Sequence, residues 1–191
     1  GAPRFSTGAP KPEGGEQMEG LVVLKKYKFA CACTGEFSVS LGGNKDVIFQ
    51  KVTEITNDLN AIYERDLNIR LELIAESYDI IFLDPNSDPY PGTDVGGWMA
   101  ANPGAMHEVL GSDSKYDIGH VFAKYLGGPA IGVAGGTGCM QTKGRGCSAG
   151  DPPYNNFFFT VVGQEIGHMW NGGHTFNQCD ITSQFSYESA C

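Results

Sequence analysis

The sequence predicts an α/β domain: a twisted, mostly parallel sheet with a long backing helix and a second helix that carries the chemistry. Three observations predict it. Short apolar runs with strand character fall at about 24–32, 68–76 and 116–123. Apolar residues recur at three and four over 46–65, the period of a helix with one buried stripe. The two kinds of segment interleave along the chain, which suits helices packed on a largely parallel sheet.

Taken in order, residues 1–20 hold five Gly and three Pro with almost nothing apolar, so they read as a flexible leader before a domain at 21–191. The stretch 21–41 is β-rich, with a strand at 24–32 and further strand character at Phe37-Ser38-Val39. Asn44 and Asp46 offer caps for a helix from Asp46 to Arg65, whose stripe is Val47, Ile48, Val52, Ile55, Leu59, Ile62 and Tyr63. Ile69, Leu71 and Leu73 alternate with Arg70 and Glu72 in a half-buried strand, and 79–83 is a second short apolar run. The carboxylates of the following turn cluster, Asp84, Asp88 and Asp94, lack calcium-loop spacing and read as solvated turn residues. Pro103 suits the first turn of a helix capped by Asn102 and reaching Leu110. Tyr116 to Ala123 reads as another strand, and the Gly-rich segment 127–150 as a loop.

Composition narrows the function. A length of 191 residues with 41% hydrophobic content suits one domain with a real core. A net charge of −9 argues against nucleic acid or an anionic membrane as partner. No run of 18 apolar residues occurs to span a bilayer. Six cysteines, an even number, fit an oxidising compartment and hence a secreted or extracellular protein. Cys139 with Cys147 brackets a Gly-rich loop and is the favoured pair; Cys179 with Cys191 would clip the end of the sequence. Cys31 and Cys33 point to one face of a strand and read as buried thiols, since no C-x-x-C pair suggests a cysteine metal site.

The chemistry concentrates at 157–177. A helix from Phe157 to Trp170 puts Gln164 and His168 four apart on one face with Glu165 beside them. Asn171-Gly172-Gly173 then ends the helix through left-handed backbone and turns His174 back to the same spot. Such a cluster can hold a catalytic zinc with one position left open to water. The three consecutive Phe at 157–159 read as core rather than a cofactor box, His107 as solvated surface, and Trp170 as either cleft wall or core.

Gln164-Glu165-Ile166-Gly167-His168-Met169-Trp170-Asn171-Gly172-Gly173-His174 resembles the metzincin zinc motif H-E-x-x-H-x-x-G-x-x-H. With Thr175-Phe176-Asn177 it is similar to the bacterial reprolysin-type, adamalysin-like metallopeptidases in particular. Thr34-Gly35-Glu36, 62–67, Asp84-Pro85 and 116–122 resemble the upper subdomain of that family, so the similarity runs from about 25 to 178. The resemblance implies zinc held by His168, His174 and the residue at 164, with Glu165 as general base for peptide-bond hydrolysis. It implies a peptide or protein substrate held as an added strand, with the strand bearing Gly119 and His120 bordering the cleft. His120 itself reads as a strand residue satisfied by neighbours rather than a fourth ligand.

Two positions depart from the motif. Asn171 replaces a Gly and can still take the left-handed turn. Gln164 replaces the first His, and an amide is a weak donor to zinc, so impaired binding and catalysis are expected. A non-catalytic relative that binds peptides is the alternative. The family's Met-containing turn follows the third His, and no Met follows Met169 here. The lower subdomain is therefore expected to be truncated, with the remaining C-terminal part of the chain as a partner.

Overall fold

The computed structural model describes residues 23–174. Five strands, β1 Lys25–Cys33, β2 Ile69–Leu73, β3 Ile118–Lys124, β4 Gly132–Ala134 and β5 Gly146–Gly150, form one sheet in the order β2-β1-β3-β5-β4. All neighbours are parallel except β4, which runs antiparallel to β5 at the edge. The helices are α1 Gly35–Ser40, α2 Lys45–Leu67, α3 Val95–Leu110 and α4 Asn156–Met169.

Strand alternation sorts the core into two layers. Phe29, Cys31, Cys33, Ile118 and Phe122 face α2 and α4, joining Ile48, Val52, Leu59, Phe158, Val162 and Ile166. Ala30, Ala32, Val121, Cys147 and Ala149 face α3, joining Trp98, Met106 and Leu110. The small residues of the second layer let α3 lie close to the sheet.

Several sequence readings need correction. Phe37-Ser38-Val39 lies in α1, because the Thr34 hydroxyl accepts from Phe37 N at 3.3 Å and starts a helix where a strand was expected. The run at 79–83 contributes a single bridge between Cys33 and Ile81. Asp94, whose carboxylate accepts from Gly97 N, caps α3 well before Asn102, and Pro103 sits inside the helix. Asn102 is a buried tie: its amide donates to Gly144 O at 2.7 Å and its carbonyl accepts from the Tyr90 hydroxyl at 2.8 Å. The Gly-rich 127–150 segment contains β4 and β5, in which Val133 is the only β-branched residue, so the usual strand signature is nearly absent.

The cysteines also differ from expectation. Cys147 is a free, fully buried thiol on β5 facing α3, so it does not pair with Cys139. Burial pushes the Cys147 thiol far up, which keeps it protonated. Cys139 is disulfide-bonded, and Cys31, Cys33 and Cys147 are free, so its partner lies outside the described residues. The expected Cys179–Cys191 clip also lies outside them. Cys31 and Cys33 are buried thiols.

Candidate functional site: a cleft between β4 and α4

The Asn155 side chain caps α4 by accepting from Phe157 N at 3.1 Å, and the core residues Phe158, Val162, Ile166 and Met169 fix its rotation. That rotation leaves Val161, Gln164, Glu165 and His168 along the side facing β4. Phe157, the first of the three aromatics, is exposed, while Phe158 fills the core and Phe159 packs against it part-buried. Trp170 follows the helix and packs its ring on Tyr27, centroids 4.4 Å apart, which makes it a support of the helix end.

The turn after α4 brings the second imidazole back. Asn171 adopts φ 62°, the left-handed conformation that ends helices, and Gly172 N donates to Gly167 O at 3.0 Å. The neighbouring loop buttresses this turn: Gly138 N donates to Met169 O at 2.9 Å. The His168 and His174 rings consequently lie with centroids 4.5 Å apart. His168 Nδ1 is 2.6 Å from Gly172 O, and a carbonyl can only accept, so Nδ1 carries the proton and Nε2 keeps its lone pair. Gln164 Nε2 lies 3.4 Å from His174 Nδ1.

Glu165 is 7% exposed, lies on the cleft side of the helix and is the only carboxylate lining the cleft among the described residues. Burial raises its pKa, and the nearby His168 partly offsets that rise. The opposite wall is Tyr125, the segment 128–131 and β4, and the cleft encloses about 550 Å³. On β4, Ile131 O accepts from Ala149 N and Gly135 N donates to Arg145 O. Odd-numbered residues thus bond to β5, which by strand alternation turns the N–H and C=O groups of Gly132 and Ala134 to the outer edge.

The structure separates Gly119 and His120 from this cleft. β3 is the central strand, flanked by β1 and β5, so it has no free edge. His120 is fully buried beneath α4, with Nε2 2.9 Å from the Ser148 hydroxyl, and burial brings its pKa down to about 3. Gly119 faces Met106 and Tyr116 on the α3 side. The residues that border the cleft, Ile131, Gly132 and Ala134, sit in the segment whose sequence gives no periodic signal. His107 is an exposed side chain 2.9 Å from Asp113, and Asp84, Asp88 and Asp94 each accept hydrogen bonds from nearby turn or helix N–H groups.

A model of the metallo-peptidase family M12B, reprolysin-like, matches residues 23–191. The chain belongs to this reprolysin-like metallopeptidase family. No curated protein matches it. The family is zinc-dependent, and the donors in the cleft can be tested against that metal. His168 offers a free Nε2 oriented by a backbone carbonyl, an arrangement suited to zinc, and His174 offers a second imidazole beside it. The third position supplies only the Gln164 amide, and among the described residues no three His, Cys, Asp or Glu side chains are grouped to hold a metal. The cleft of this reprolysin-like chain therefore presents two imidazoles and one amide as its candidate donors.

Proposed function

We propose that this chain is a zinc metalloendopeptidase of reduced metal affinity, with His168 and His174 as ligands, Gln164 as a weak third, and Glu165 as general base. The observation that supports it best is the meeting of the two imidazoles beside one buried carboxylate in a cleft whose edge strand has no cover among the described residues. An extended peptide would add to β4 through the outward N–H and C=O groups of Gly132 and Ala134, giving affinity independent of side chains. Zinc, when bound, would supply Lewis acidity that brings the pKa of a water down to roughly 7. Glu165 takes the proton of the attacking water and returns it to the leaving amine. The raised pKa of the Glu165 carboxyl makes it the stronger base for the first transfer. His168 is held to its task by Gly172 O, which fixes both its tautomer and its ring plane.

The disulfide at Cys139 supports a secreted protein. Glu165→Gln tests the base directly: it removes about 10²- to 10⁴-fold of the peptide cleavage while peptide binding stays. Cleavage undiminished in that variant contradicts the role. A second reading, a peptide-binding relative without catalysis, is favoured by the Gln164 amide lying against His174. Stoichiometric, chelator-sensitive zinc in the purified protein decides for the peptidase; its absence decides for the binding module.

A further inference from the structure

Gly132 opens β4 opposite Glu165. A methyl at this position would lie 2.6 Å from Glu165 Cγ, 2.6 Å from Oε1 and 2.8 Å from Cδ, so the three nearest obstacles all belong to one carboxyl arm. The backbone does not explain the glycine, because Gly132 is absent from the residues with positive φ. Neither wall can easily retreat. β4 is held in register by Gly132↔Ser148, Val133↔Cys147 and Ala134↔Gly146, and α4 is anchored on both sides of Glu165 by the fully buried Val162, Ile166 and Met169. Ser148, opposite Gly132 on the same sheet face, is tied in turn to His120.

We propose that Gly132 is a positioning residue: the side chain it lacks is the seat in which the Glu165 carboxyl arm lies against the edge strand, where an added peptide strand would pass. A methyl at 132 displaces the far end of Glu165 and leaves strand and helix where they are. The role rests on Glu165 being the base, but the seat itself is read without any activity.

Thermal unfolding of the chain, Gly132→Ala, Glu165→Ala and the double variant reads the seat. With Glu165 present, Gly132→Ala lowers Tm by about 3 °C through crowding. With Glu165→Ala, the same change leaves Tm unaltered or raises it, because alanine restricts the unfolded chain more than glycine. Equal shifts in the two backgrounds would overturn the seat. In the Gln164→His chain, Gly132→Ala lowers kcat about a hundredfold with KM within about twofold, as misplacement of a reacting group does. The control Gly104→Ala, at an open position on α3, changes neither. A rise in KM with kcat kept would overturn the positioning role. If the unfolding cycle shows coupling while Glu165→Gln keeps full kcat, the base assignment fails and the seat stands.

Discussion

His120 and Gln164 show how much a single side chain decides in this domain. His120 is a neutral imidazole under α4, and its Nδ1 has no partner among the described residues. Its folded pKa of about 3 lies below the unfolded 6.5, so between those values the unfolded chain binds the extra proton. The stability contribution is fully present above pH 6.5 and is lost as pH falls toward 3. At 1.36 kcal/mol per pH unit, the loss is bounded at about 5 kcal/mol. Urea unfolding in chelator from pH 7 to 4 should fall more steeply for the chain than for His120→Gln; equal slopes would contradict the burial of a neutral ring. Under the proposed function Gln164 acts the other way, leaving the fold alone and weakening the site. Helical spacing placed Gln164, and His120 reads from the sequence as a strand residue satisfied by a neighbour, which the Ser148 contact matches; that His120 lies away from the cleft needed the knowledge that its strand is central.

Among the elements, the long periodic ones could be read from the sequence and the short ones could not. α2 announces itself by its stripe and its Asn44 cap, and extends from Lys45 to Leu67 against an expected 46–65. β4 and β5 consist of Gly-Val-Ala and Gly-Cys-Ser-Ala-Gly, and exist because neighbouring strands supply their hydrogen bonds. No local propensity marks them, so the strand that edges the cleft was read as loop. The other edge is closed by a side chain. Asn60 on α2 donates to Leu71 O at 2.9 Å and accepts from Leu71 N at 2.7 Å, which occupies the outward face of β2 and removes it as a docking edge. Asn60→Ala should cost about 2 kcal/mol, a Tm loss of roughly 4–8 °C. A loss within 1 °C in calorimetry would mean that water replaces the amide without penalty. β4 has no such cover among the described residues, which is consistent with a strand kept open for a peptide.

At the scale of the whole molecule, the sheet gathers two distant regions into one site: the edge strand near 132 and the helix end near 168 meet across a cleft. The net charge of −9 sets the field in which a peptide would approach, with Glu165 the only carboxylate on the cleft walls among the described residues. A lysine-flanked peptide should therefore associate faster than its glutamate-flanked counterpart at low salt, and the difference should shrink toward 1 M salt. Equal association rates at low salt would show that the field does not reach the cleft. Under the proposed function, turnover depends on the donor that Gln164 replaces with an amide. The most direct measurement is zinc content with peptide hydrolysis for Gln164→His beside the unaltered chain. The account predicts one chelator-removable zinc per Gln164→His molecule and cleavage well above that of the unaltered chain. A Gln164→His protein that folds, takes up no zinc and cleaves nothing would contradict it.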